Sequence, residues 1–280
     1  ERGYEAAYFF NANILNRSDL TYIELIKIFR QKDLSFTQLL NQVRMNQDAG
    51  TALQIINETC YRPNMGADNQ AITLTTTNQR ADGINAKEMR LLDTETRIYK
   101  GRIDGRFNVD ERNLPSPLDL TLKLGARVMF TANDRNIPRR WMNGTLGKVV
   151  QFETDSITVE LDVSVHASSK LRHLVEVPIF AWESYQYEFD EKEQQIKPVV
   201  NGKFEQFPLM LAWAVTIHKS QGKTLEKVRV DLTGGSFAPG QVYVALSRCT
   251  TLEGIELLQP IKNNDVRTDA HVKEFYRKLN

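Results

Sequence analysis

The chain has 280 residues, 41% of them hydrophobic and 25% charged, and its 36 Lys and Arg against 35 Asp and Glu leave a formal net charge of +1. That composition excludes a disordered chain, and apolar runs such as Leu209 to Ile217 are too short for a bilayer span, so an intracellular globular protein is expected, cytoplasmic if the source is prokaryotic, with no membrane partner. Two distant cysteines, Cys60 and Cys249, fit neither a disulfide framework nor a metal site, and no metal ligands are expected.

Thr21 to Phe29 is rich in β-branched and apolar residues and predicts a buried strand ending at Arg30-Gln31. Phe36, Leu39, Leu40 and Val43 recur at helical spacing, which predicts a helix over Ser35 to Asn46 with Gly50 as terminator, and Thr51 to Thr59 suits a short second helix. Ala71 to Thr75 reads as a strand that passes through Thr76-Thr77-Asn78 into a helix carrying Ala81, Ile84, Glu88 and Leu91 or Leu92 on one face. A polar turn between strand and helix aims hydroxyls and amides at one spot, which suits either a phosphate or a simple helix cap.

From about Leu122 the texture changes to short strands with Gly and Asn turns: Ala126 to Phe130, Gly147 to Phe152, Ile157 to Leu161, Leu174 to Ala181, Tyr185 to Phe189 and Ile196 to Val200, with Asn201-Gly202 as a hairpin turn. Residues 123–207 are therefore expected to form a small all-β barrel inserted between 1–122 and 208–280. Beyond it come a strand at Leu209 to Ala212, a helix around Val215 to Gln221, a strand at Val228 to Leu232, a helix at Gln241 to Ser247, a strand at Ile255 to Leu258 and a helix from Thr268. Strands alternating with helices predict an α/β fold whose mostly parallel sheet is covered on both faces.

Three Gly-Lys pairs invite comparison with the phosphate loop GxxxxGK[ST], which needs a glycine five positions before the second one. Ile217, Met142 and Lys197 occupy that position before Gly222, Gly147 and Gly202, so none fits, although Gly222-Lys223-Thr224 matches the end of the pattern. Arg248, at the end of the Gln241 helix, carries five donors on a rigid element and suits developing phosphoryl charge; a carboxylate partner such as Glu253 is the structural alternative. Thr216, His218, Lys219, Ser220, Gln221 and Gly222 form a dense polar cluster after an apolar run, suited to a nucleic-acid backbone at one end and a nucleotide at the other. Arg30 is a candidate phosphate contact, with an ion pair to Asp33 as its alternative. Two basic clusters, Lys87 to Arg106 and Arg135 to Arg140, read as solvated faces or as a nucleic-acid groove, and Trp141 beside the second reads as a base-stacking platform or an exposed hairpin tip.

FRQKDLSFTQLLNQVR (Phe29 to Arg44), TLTTTN (Thr73 to Asn78), LKLGARVMFTAND (Leu122 to Asp134) with NGTLGKVV (Asn143 to Val150), AWAVTIHKSQGKTL (Ala212 to Leu225) and GQVYVALSRCT (Gly240 to Thr250) resemble, in order, motifs of the Pif-one (Pif1) family of DNA helicases, relatives of RecD. The resemblance implies a RecA-like second lobe with an inserted SH3-like barrel. It implies Arg30 and Arg248 as arginines reaching the γ-phosphate, with Gln31, Gln221, Gly222 and Lys223 near the nucleotide. It further implies Thr76, Asn78, Thr216, His218 and Lys219 as contacts to single-stranded DNA. ATP and Mg²⁺ would be held mainly by an N-terminal RecA-like lobe of the same polypeptide, whose phosphate loop, acidic pair and glutamine sensor lie before Glu1. A non-catalytic binding module, or a self-contained kinase or hydrolase built on Gly222-Lys223-Thr224, are the rival classes.

Overall fold

A computed structural model describes residues 8–14, 21–23, 25, 27–31, 33–62, 71–107, 109–162, 174–191 and 193–279. At its centre four parallel strands lie in the order β12-β1-β13-β14, comprising β12 (Ala214–Thr216), β1 (Ile72–Thr75), β13 (Val228–Asp231) and β14 (Ile255–Leu257). All four residues of β1 are buried, as expected of a parallel strand covered on both faces. One face is closed by α1 (Leu34–Met45), α2 (Ala49–Cys60) and the short α4 (Gln241–Leu246), which share a core with the strands through Phe36, Ile56, Ile72, Val230 and Leu246. The other carries α3 (Asn78–Leu91), whose inward stripe is Ala81, Asn85 and Met89. Asn85 donates to the Ala214 carbonyl at 2.8 Å and accepts from its N–H at 2.9 Å, so one amide side chain completes the open edge of β12. The last helix, α5, spans Ala270–Leu279. No helix among the described residues is long and apolar enough to cross a membrane.

The α/β expectation holds, with local corrections. The strand expected over Thr21 to Phe29 does not form: its described residues are irregular, and Ile23, Leu25 and Phe29 are 83%, 90% and 79% exposed. Apolar, β-branched composition makes a strand only where a sheet edge receives it, and none of the strands among the described residues pairs here. The terminator of α1 is Asn46, in the left-handed region at φ 50°, while Gly50 lies inside α2. The helix expected over Val215 to Gln221 is instead β12 followed by turns, because Ala214 to Thr216 lies against β1 in parallel register.

The β-rich part is an antiparallel five-stranded sheet in the order β11-β5-β6-β7-β8, comprising β11 (Leu209–Leu211), β5 (Arg127–Phe130), β6 (Leu146–Phe152), β7 (Ser156–Leu161) and β8 (Leu174–Pro178). Beside it stand the pair β2 (Arg97–Lys100) and β4 (Asp119–Leu122), and a three-stranded sheet of β3 (Arg102–Gly105), β10 (Gln195–Gln206) and β9 (Phe180–Asp190). Strand Leu209 to Leu211 thus joins β5, not the parallel sheet. Asn201-Gly202 is no hairpin turn: it lies within β10 at a bulge, where a Cβ on Gly202 would meet the Arg106 backbone at 2.3 Å.

This part has its own core, and Trp141 belongs to it. The indole is 5% exposed, stacks on Phe130 at 4.8 Å between centroids and lies under the Arg140 guanidinium at 4.4 Å, so it is neither a base platform nor an exposed tip. Arg140 in turn grips Asp134 by two bonds of 2.7 and 3.1 Å, while the Asn136 and Arg140 amides add two more. The Arg140 hydrogen bonds hold the Asp134 carboxyl well below the usual carboxylate range, against the burial that would raise it. A depressed folded value means that the contribution is complete above about pH 4 and is lost as pH falls through that folded value. Asp134→Ala is expected to cost about 1–2 kcal/mol at neutral pH, with the gap to wild type closing in strong acid. Urea unfolding at neutral and acid pH checks this, and a gap independent of pH would contradict it.

Candidate functional site

Two faces of the parallel sheet gather the candidate residues. The first is the carboxyl edge, where Thr75 leaves β1 and Thr216 leaves β12. There Thr76 and Thr216 are buried at 5% and 6% exposure, and the Thr216 hydroxyl accepts from the Lys219 N–H at 3.3 Å, tightening the turn. Asn78, the first residue of α3, and His218 and Lys219 after β12 are exposed. The helix start is capped by Thr77, which accepts from the Arg80 N–H. Nearby, Arg80 pairs at 2.7 Å with Asp231, whose carboxylate is fully buried; burial raises that carboxyl, but bonds from Thr233 and Arg80 outweigh it and leave its pKa lowered. This pair gave no local sequence signal, since its members are 151 residues apart.

The second face lies at the opposite, amino edge of β13. A parallel bridge between Leu225 and Cys249 precedes that strand, and around it stand Arg30, Arg248, Lys223, Thr224 and Ser247. The expectation that Arg30 sits at a strand's carboxyl end is therefore corrected. Arg30 donates from Nε to the Thr224 hydroxyl at 3.1 Å and from Nη1 to the Ser247 carbonyl at 3.0 Å. Arg248 lies two residues past α4, 9% exposed, donating to the Val244 carbonyl at 3.0 Å, to the Ser247 hydroxyl at 3.2 Å and more weakly to the Lys223 carbonyl at 3.5 Å. Neither carboxylate alternative is realised: Asp33 caps α1 by accepting from Ser35, and no ion pair to Glu253 forms among the described residues.

Two guanidinium groups thus stand close together on neutral acceptors. Burial, then the neighbouring Arg30 charge, lower the Arg248 pKa, yet arginine stays cationic in proteins. Like charges without a counter-ion are unfavourable alone and favour an incoming polyanion. Arg30 lines a cleft of about 600 Å³ together with Ile28, Phe29, Gln31, Leu40, Asn41, Thr224, Tyr243 and Ser247, while Arg248 is buried behind Ser247 and is not part of that lining. Gln31 is 8% exposed and its amide nitrogen donates to the Ser247 and Cys249 carbonyls at 3.0 and 2.9 Å, closing the end of α4 that helix geometry leaves unpaired. Gln241 is likewise buried, accepting from the Ser236 hydroxyl and the Phe237 amide.

Between the edges runs the turn-rich segment 217–225, which must cross the length of the sheet because β12 and β13 are parallel. Gln221 and Gly222 are exposed on it, outside the cleft lining. Lys223 points away from the arginines: its amine donates to Asn143 Oδ1 of the β-rich part at 2.8 Å, and burial lowers its pKa. No helix follows Gly222-Lys223-Thr224, and the Thr224 hydroxyl is taken by Arg30, so the geometry of a self-contained phosphate loop is absent from this tripeptide. Thr224 stood out in the sequence only as the end of a phosphate-loop pattern, not as an acceptor for Arg30, and the Ser247 carbonyl was not singled out, since a main-chain acceptor leaves no trace there.

No family model matches the chain. It is 33% identical over 270 residues to the ATP-dependent DNA helicase PIF1 of Homo sapiens, a match covering 92% of this chain and 38% of that protein. It is 32% identical over 261 residues to the ATP-dependent DNA helicase Pif1 of Bdellovibrio bacteriovorus, covering 89% and 52%. Unliganded Pif1 from Bacteroides sp superposes with a TM-score of 0.82 at 34% identity, covering 99% of this chain and 61% of that one. The chain belongs to the Pif1 family. It spans about half or less of the length of these curated Pif1 relatives. Pif1 from Bacteroides has also been solved with ADP-AlF4, at a TM-score of 0.81 to this chain, and bound to ssDNA, at 0.67.

Proposed function

We propose that this chain is the second motor lobe of an ATP-dependent 5′ to 3′ DNA helicase, supplying two arginines to the nucleotide and backbone contacts to single-stranded DNA. The observation that carries the reading is the Arg30 and Arg248 pair, held by hydroxyl and carbonyl acceptors beside an open cleft and bonded to no carboxylate among the described residues. An N-terminal RecA-like lobe of the same polypeptide holds the phosphate loop and, with it, most of the contacts to ATP and Mg²⁺. ATP, when bound, supplies a phosphoryl group whose charge spreads over three oxygens during transfer. The two guanidiniums suit that charge, Arg30 on the cleft wall and Arg248 behind Ser247.

In this reading residues 1–122 and 208–280 form the RecA-like lobe and 123–207 an inserted SH3-like barrel, whose framework is β5 to β8, with β11 from the lobe's second part completing the five-stranded sheet. Lobe closure brings the arginines onto the γ-phosphate and hydrolysis releases them. Segment 217–225 links that event to Thr76, Asn78, Thr216, His218 and Lys219 at the far edge of the sheet, where the strand is held chiefly by its phosphates. The exposed Ile23, Leu25 and Phe29 suit burial against that N-terminal lobe.

The DNA side is tested by salt dependence. If Lys219 neutralises one phosphate, Lys219→Ala weakens oligothymidylate binding and makes the slope of log K against log salt shallower by about 0.7, with no change in base preference. An unchanged slope would remove Lys219 from the contact set. Binding that ignores salt altogether would point to the alternative of a non-catalytic, protein-binding module.

A further inference from the structure

The dipeptide Lys223-Thr224 touches three parts of the molecule at once. The Lys223 carbonyl is within reach of Arg248 Nη1 at 3.5 Å, the Thr224 hydroxyl accepts from Arg30 Nε at 3.1 Å, and the Lys223 amine donates to Asn143 Oδ1 at 2.8 Å. Asn143 belongs to the turn between β5 and β6 and is fixed there, since its N–H donates to Asn133 Oδ1 at 2.8 Å and the Gly144 N–H to the Phe130 carbonyl at 2.8 Å. The turn also sits on the lysine stem: a Cβ on Gly144, itself at φ +95°, would stand 2.9 Å from both Lys223 Cγ and Cδ. The β-rich part therefore rests directly on the dipeptide that holds Arg30 and touches Arg248.

We infer that Asn143 and Lys223 form a latch through which the position of the β-rich part sets the position of Arg30 and Arg248, making them positioning residues for ATP hydrolysis. The inference rests on the function proposed above. The physical reason is the irregular path of residues 217–225. A segment held mainly by local turns transmits displacement poorly unless its middle is pinned. Pinning Lys223 to the β-rich part leaves Thr224 to follow that part as a strand of DNA shifts His218 and Lys219.

The test uses the full-length helicase containing this chain. A net hydrogen bond is worth roughly 2- to 12-fold in an equilibrium or rate, so Asn143→Ala should lower DNA-stimulated kcat by that factor, with KM for ATP and the DNA-free rate within about twofold of wild type. Lys223→Met, which keeps the stem, should show the same loss in kcat. The double variant should be no worse than either single one, and Asn143→Asp, which keeps an acceptor oxygen, should restore the rate. Losses that add in the double variant, that raise KM for ATP in proportion, that merely track a lowered Tm, or that never appear would each overturn the latch. A wild-type enzyme without DNA-stimulated hydrolysis would overturn the proposed function, and the latch with it; a stimulated wild type with unaffected variants overturns the latch alone.

Discussion

Arg248→Ala in the full-length enzyme is expected to lower DNA-stimulated kcat by at least about 10³-fold, the scale on which arginines that stabilise phosphoryl transfer act. The expectation follows from what holds the side chain. Its Nε is spent on the Val244 carbonyl and one Nη2 proton on Ser247, which fixes the plane of the guanidinium and leaves further N–H donors for an anion. Arg248→Lys should not rescue, because an ammonium cannot bond Val244 and a phosphoryl oxygen from the same fixed plane. Binding of ATP should change far less than turnover, since the gain is confined to the transition state. Steady-state kinetics with a melting control decide it: a drop smaller than tenfold in a folded variant would mean that Arg248 is a packing residue.

Phe36→Ala should destabilise the chain by about 3–5 kcal/mol, the usual cost of emptying a closed aromatic site. Phe36 is fully buried in the first turn of α1, in the same core as Val242, Ala245 and Leu246 of α4. It also stands six residues after Arg30, so its loss should loosen the segment that brings Arg30 to Thr224. Urea unfolding of residues 1–280 measures the first effect. A cost under about 1 kcal/mol would show that the site collapses around the gap.

Much of the α/β part was legible because its signals are local. The stripe Phe36, Leu39, Leu40 and Val43 is the buried face of α1, and the buried β1 followed by a Thr77 cap gives strand, turn and helix where the pattern placed them. What misled were segments whose state depends on distant partners. Thr21 to Phe29 has strand composition but pairs with no strand among the described residues, Leu209 to Leu211 is captured by β5, and Asn201-Gly202 serves a bulge against the Arg106 backbone. Arg30 and Arg248 could be named as candidates from the sequence because a side chain is the actor, and the fold brings the two together. Their acceptors were missed, because carbonyls at Ser247 and Val244 acquire meaning only once the chain has folded.

The acceptors that orient Arg30 and Arg248 carry no charge. Among the described residues neither added electrolyte nor mild acid finds a carboxylate bonded to them to shield or protonate, so on the proposed function the aim of both guanidiniums should persist where the grip on a polyanionic strand is already failing. Under the proposed function, a lobe built this way would separate how well it is cocked from how tightly it holds its track, and only the second would be set by the ionic medium.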